Sequence, residues 1–251
     1  MSTAINKKEK IYYYRTKEWY KGPQPHFYNA SDFPGTIILE SNYEIIRQEI
    51  ESVYASKTGA FKPNFTPYGR MSGWKTANLY SYFFKYPWVC RKFPKLHEIV
   101  RQIPGMCMTQ IAVLEPHTRI RAHFGDTNAI VRSHLGIIVP GRLPELGIKV
   151  GSEEKGWEEG KVFSFCIVHR HCAWNFTDKP RIVLLVDTIR REYMDERYKI
   201  AGNTLALIGM KIFASKFPAL KKIPLWLTKD IQYSIGLIFR LYLFLQRTLK
   251  W

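Results

Sequence analysis

Six side chains in two short stretches carry the chemistry that this sequence offers. "RAHFGDTNAIVRSHLG" holds His123, Arg132 and His134, and "HRHCAWNFTDKPRIV" holds His169, His171 and Arg181. Neutral imidazoles brought together suit a divalent metal. Arg132 and His134 stand two apart in a β-branched run, so they share one face of a strand and can grip a carboxylate together. His169 and His171 read as sharing a face of another strand, so spacing alone allows a three-histidine site of His123, His169 and His171. A carboxylate two residues after His123 would supply a further iron ligand. Gly125 stands there instead, and Asp126, one residue later, reads as a turn residue.

Taken together, "HFGDTN", "VRSHLGIIVP", "IKVGSEEKGWEEGKVFSF" and "HCAWNFTDKPRIVLLVD" resemble the aspartyl/asparaginyl β-hydroxylase family of iron(II)- and 2-oxoglutarate-dependent oxygenases. The resemblance covers about residues 26–190, including "HFYNASDFPGTIILESNYEIIRQEI". It implies a double-stranded β-helix, a cupin-like jelly roll. It also implies that His123 and His171 are catalytic and ligate Fe(II). His171 is preferred to His169 because the family's second ligand stands three residues before a tryptophan, as His171 stands before Trp174. The family's first motif is similar in reading histidine–any–glycine, so water is expected where the carboxylate is missing. On that reading Gly125→Asp should still permit iron binding.

The same resemblance implies that His134 and Arg132 hold the chelating end of 2-oxoglutarate and that Arg181 holds its distal carboxylate. Ala112 stands where the family often has an assisting serine. The implied reaction consumes dioxygen and 2-oxoglutarate, releases succinate and carbon dioxide, and hydroxylates an unactivated C–H bond. The foremost target is the β-carbon of an aspartyl- or asparaginyl-type residue in a peptide or a carrier-bound amino acid. One alternative is a membrane-lipid acyl-chain hydroxylase similar to the lipid A hydroxylases, whose first motif looks similar to H-x-D. Another is a non-oxygenase, three-histidine metal protein of cupin-like fold, which leaves Arg132, His134 and Arg181 without a role.

These residues need a β-scaffold, and the chain supplies one. "MCMTQIAVL", "TRIRAH", "AIVRSHLGIIVP", "LGIKV", "KVFSFCIVHRH" and "RIVLLVDTI" are six strand candidates separated by turn residues. Short β-branched runs at such spacing predict an antiparallel sandwich or barrel. Two helices precede them. In the first, Ser41 and Glu44 fit a capping box, and Tyr43, Ile46, Ile50 and Val53 form one apolar face. The second, "KFPKLHEIVRQIPG", ends at Pro104 and Gly105. The expected fold is mainly β with flanking helices, divided into an N-terminal tail (1–25), a jelly-roll domain (26–200) and a helical extension (201–251).

The net charge of +17 attracts anionic partners. No zinc-finger spacing, RNA-binding aromatic signature or lysine block supports specific nucleic-acid binding. Cys90, Cys107, Cys166 and Cys172 form no CxxC pair and read as reduced thiols. No apolar run follows the N-terminal charges, so no secretory signal is read and a cytoplasmic location is expected. Residues 201–251 carry eight Lys/Arg against the single acid Asp230. The apolar run Ile231–Gln246 reaches about 24 Å at ~1.5 Å per residue, short of a ~30 Å hydrocarbon core. It reads either as an interfacial helix on the inner face of an anionic membrane or as a helix packed on the β-domain.

Overall fold

A computed structural model describes residues 9–15, 19–29, 32–33, 35–64 and 73–248. Twelve strands among these residues form two antiparallel sheets, giving the expected jelly roll. The strands are β1 (Phe27–Tyr28), β2 (Lys62–Pro63), β3 (Trp74–Ser81), β4 (Phe84–Lys85), β5 (Met106–Leu114), β6 (Thr118–His123), β7 (Ile130–Ile138), β8 (Leu146–Val150), β9 (Glu153–Lys155), β10 (Val162–Cys166), β11 (His171–Asn175) and β12 (Arg181–Ile189). The larger sheet runs β1-β10-β7-β12-β5-β3-β2, with β4 beside β3, and the smaller runs β6-β11-β8-β9.

Side-chain alternation divides β12, buried along its whole length, between two cores. Ile182, Leu184 and Val186 face a cluster with Leu39, Ile46, Ile50 and Leu96 from the helices behind the large sheet. Those helices are α1 (Gly35–Ser41), α2 (Tyr43–Ala55), α3 (Pro87–Lys92) and α4 (Pro94–Val100). Val183 and Leu185 face the other way, into a cluster with Ile148, Phe163 and Phe165 between the sheets. Arg181 shares their alternation and is carried inward.

The structure corrects the sequence reading in two places, a strand and a helix cap. "KVFSFCIVHRH" is not one strand: β10 stops at Cys166, a turn follows, and β11 starts at His171. The capping box is absent, because Ser41 ends α1 and α2 restarts after Asn42, whose side-chain amide donates to Ile38 O. Described residues of the N-terminal tail lie against the sandwich: Tyr13 bridges Thr127, and Tyr12 N donates to Asn128 Oδ1. Residues 1–8 lie outside the described residues.

Two further helices close the chain, α5 (Arg197–Lys216) and α6 (Leu225–Thr248). Ile200, Ala201 and Leu243 join the inter-sheet core cluster. The two helices approach closely where Gly202 meets Gly236; a Cβ on Gly202 would lie 2.6 Å from Gly236 O. Arg15 Nε donates to Gln232 Oε1, and Gln232 Nε2 donates to Asn203 O, so the N-terminal segment straps the helix pair. All four cysteines are free thiols.

Candidate active site

His123 ends β6 and His171 starts β11, and the two are direct partners in the antiparallel register. Cross-strand pairing therefore sets their rings side by side, with centroids 4.2 Å apart. The register shifts between His171 and Ala173, where Arg121 and Ala122 of β6 stand opposite Cys172 alone, so β6 bulges just before His123. His123 Nδ1 meets Arg121 O and His171 Nδ1 meets His169 O, each at 2.8 Å. A carbonyl only accepts, so both Nδ1 atoms carry the hydrogen and both Nε2 atoms carry a lone pair. Burial lowers both pKa values, His123 to about 4, so the rings are neutral at pH 7. Two neutral imidazoles oriented by backbone carbonyls are fit ligands for a borderline divalent metal.

His169 does not join them. Its Nε2 bonds to Gln24 O at 2.8 Å and its ring packs edge-on against His26. The turn between β10 and β11 breaks the alternation that would have given His169 and His171 a common face. Among the described residues, no group of three or more His, Cys, Asp or Glu could hold a metal, which removes the three-histidine site.

Arg132, His134 and Arg181 line the same cavity as the two imidazoles. Arg132 is bidentate to Asp187, with Nε at 2.7 Å and Nη2 at 2.8 Å. His134 Nδ1 accepts from the Trp157 indole at 3.2 Å, which places the hydrogen of the neutral ring on Nε2. That buried Nε2 has no hydrogen-bond partner among the described residues. Burial lowers the His134 pKa, and the nearby Arg132 and Arg181 cations add to the effect.

Arg181 is 2% exposed. Its guanidinium lies 4.5 Å over the Trp157 ring, its Nε meets no acceptor, and no carboxylate pairs with it among the described residues. Burial lowers its pKa to about 9. An unpaired buried cation is costly by several kcal/mol, roughly, and an anion entering the cavity removes that cost. The Trp74 indole also lines this cavity, and its buried Nε1 has no hydrogen-bond partner among the described residues. The cavity thus offers three unsatisfied donors, on Trp74, His134 and Arg181, beside two lone-pair nitrogens. This donor set fits a metal-chelating anion with a second acidic end. Ala112 lines the wall without a hydroxyl.

Trp74, Trp157 and Asp187 had no role in the sequence reading. "GWEEG" carried one signal, an aromatic inside an acidic loop. Gly125 differs from expectation more sharply. Its N–H donates to Ile167 O at 2.7 Å. A Cβ there would lie 2.6 Å from that oxygen and 2.7 Å from Ile167 Cβ. The glycine permits close backbone approach, and an aspartate has no room without movement of the loop.

A model of the family described as aspartyl/asparaginyl beta-hydroxylase matches residues 40–191. The ornithine lipid ester-linked acyl 2-hydroxylase of Rhizobium tropici is 34% identical over 171 residues, covering 66% of this chain and 61% of that protein. The aspartyl/asparaginyl beta-hydroxylase of Homo sapiens is 29% identical over 154 residues, covering 59% and 20%. Each match thus spans less than two thirds of the relative's length. Among solved structures, a viral collagen prolyl hydroxylase from Paramecium Bursaria Chlorella virus-1 aligns with a TM-score of 0.36 at 9% identity, covering 57% of this chain and 91% of that one.

Proposed function

The chain belongs to the aspartyl/asparaginyl beta-hydroxylase family, and from that premise we propose an iron(II)- and 2-oxoglutarate-dependent dioxygenase that hydroxylates an unactivated C–H bond. One observation carries the reading: two imidazoles with outward Nε2 lone pairs share a cavity with a buried, unpaired guanidinium. His123 and His171 would hold iron through Nε2, and the carbonyls of Arg121 and His169 keep their rings in place. Iron with bound 2-oxoglutarate and dioxygen supplies the oxidising power, with succinate and carbon dioxide as coproducts.

The protein's own work is positioning. Nε2–H of His134 and the Arg132 cation serve the chelating end of the cosubstrate, with Asp187 fixing the arginine. Arg181 neutralises the distal carboxylate, and Trp157 supports both Arg181 and His134. Ile120, Ile148, Phe165 and Leu185 give the cavity apolar walls that limit water. Residues 26–200 carry this catalytic unit in the proposal, and 201–251 are its extension.

The proposed substrate is an aspartyl- or asparaginyl-type residue in a peptide or carrier-bound amino acid, hydroxylated at the β-carbon. A second reading, an acyl-chain lipid, is favoured by the exposed apolar face of α6 and by the activity in the name of the Rhizobium tropici relative. In that form the protein sits peripherally on the inner face of an anionic membrane, using 201–251. No helix among the described residues is long and apolar enough to cross a membrane. The deciding experiment measures succinate release with Fe(II) and 2-oxoglutarate against separate peptide and lipid pools, with mass analysis for an added oxygen. Stimulation and oxygen gain in one pool assign the substrate class. No stimulation in either, with no oxygenated product, would refute the hydroxylase reading for both.

A further inference from the structure

α6 turns two different faces outward and inward. Gln232, Gly236 and Leu243 are buried against α5 and the core. On the opposite side Leu237, Ile238, Leu241, Phe244 and Leu245 are exposed, Ile238 by 69% and Leu241 by 60%. Their spacing of three and four residues makes a continuous apolar stripe along the helix. A soluble surface rarely leaves such a stripe uncovered. At its N-terminal end the stripe meets the corner joining α5 to α6. Phe213, Phe217 and Trp226 are exposed there, Trp226 by 66%, together with exposed Lys216, Lys222 and Lys229.

We propose that the outer face of α6, with this aromatic and basic corner, lies on the surface of an anionic lipid bilayer. The proposal deepens the lipid reading above by naming the surface that meets the membrane, and it rests on that reading for its link to catalysis. Charge selects the occupant. Exposed Lys216, Lys222 and Lys229, with Asp230 the single acid over 201–251, attract an anionic surface and repel the same face on a second copy. The composition matches as well: Trp and Lys favour the headgroup level, while Leu, Ile and Phe enter the acyl boundary. Lys221, Arg247, Lys250 and Trp251 lie outside the described side chains and carry no part of this argument.

The contact reaches the active site through α5. Lys211 Nζ pairs with Asp126 Oδ1 at 2.8 Å, three residues beyond His123. Docking the helix pair therefore fixes the His123 loop relative to the bilayer.

Vesicle flotation of the full chain tests the proposal, using phosphatidylcholine with and without phosphatidylglycerol at low and high salt. The full chain is expected to float with the anionic vesicles alone, and less as salt rises. Lys216→Gln/Lys222→Gln/Lys229→Gln should lower partitioning at least about tenfold, since each lysine at such a surface contributes roughly a factor of five. Phe213→Ser/Phe217→Ser/Trp226→Ser should lower it as much, with an unchanged thermal midpoint because all three side chains are exposed. Failure of the full chain to float at low salt overturns the proposal, as does undiminished flotation of both variants. A dimer in sedimentation that the aromatic variant dissociates, without flotation, would assign the face to a second copy instead. None of these readouts needs metal or cosubstrate, so failure of the hydroxylase reading shows separately, as absence of succinate release.

Discussion

Replacing Gly125 separates two explanations of the missing carboxylate. If the position were an open coordination site, Gly125→Ala would be harmless and Gly125→Asp would bind metal more tightly. The geometry predicts loss in both variants. Any Cβ falls 2.6 Å from Ile167 O and 2.7 Å from Ile167 Cβ, and Ile167 is itself buried. The near atom is backbone, so the clash cannot be relieved by turning a side chain. Crowding a packed interior costs ~1–3 kcal/mol. Losing the Gly125 N–H bond to Ile167 O adds about 1 kcal/mol. The total of roughly 2–4 kcal/mol corresponds to a fall in Tm of roughly 4–16 °C for a chain of this size. The movement pushes the loop carrying His123 away from the turn leading to His171, so metal affinity falls with stability. Thermal unfolding of the metal-free proteins and iron titration of each variant make the measurement. A Gly125→Asp protein with an unchanged Tm and iron affinity equal to or above that of the parent would refute the steric reasoning.

His169→Ala is expected to keep its metal, while His123→Ala and His171→Ala lose it; metal content after purification reads this directly, and the reverse pattern would exchange the two assignments. Arg181→Ala should raise the 2-oxoglutarate concentration for half-saturation at least about tenfold, since a charged contact is worth ~1.5–3 kcal/mol. Trp74→Phe removes a neutral donor and should cost roughly two- to tenfold in calorimetric cosubstrate affinity; an unchanged value would remove the indole from the site. Stability of the metal-free protein should depend on pH in a defined window. Burial holds His123, His134 and His171 below the ordinary value of 6.5, His123 at about 4. The unfolded chain therefore binds more protons between about 4 and 6.5, so their contribution is full above 6.5 and is lost as pH falls through that window. Urea midpoints that stay flat across it would contradict this.

Much of the scaffold was legible because its strands are half-patterned. β5, β6, β7, β8 and β12 each combine β-branched residues with a flanking turn signal, and each reads correctly from that texture. The join of β10 to β11 was hidden because "FCIVHRH" contains no Gly, Pro, Asn or Asp to mark the turn. That single missed turn put His169 on the same face as His171. Register was equally invisible: the pairing of His123 with His171 depends on two strands far apart in the chain. Helix capping failed locally, because α1 and α2 meet at Asn42 and the serine that fitted the cap belongs to the preceding helix.

The polar pairings show why site chemistry is harder to read than fold. "RIVLLVDTI" presents a cation and an acid six residues apart, on the same side of a strand whose every residue is buried. In an interior, each must be paired or the fold bears its desolvation. The sequence contains no sign that Asp187 is satisfied by Arg132 from the neighbouring strand, leaving Arg181 with Trp157 beneath it and no acid beside it. Only the three-dimensional balance distinguishes the arginine that braces the site from the arginine that waits for an anion. Charge, strand period and position are the same kind of information for both; the partner across the ladder is what differs.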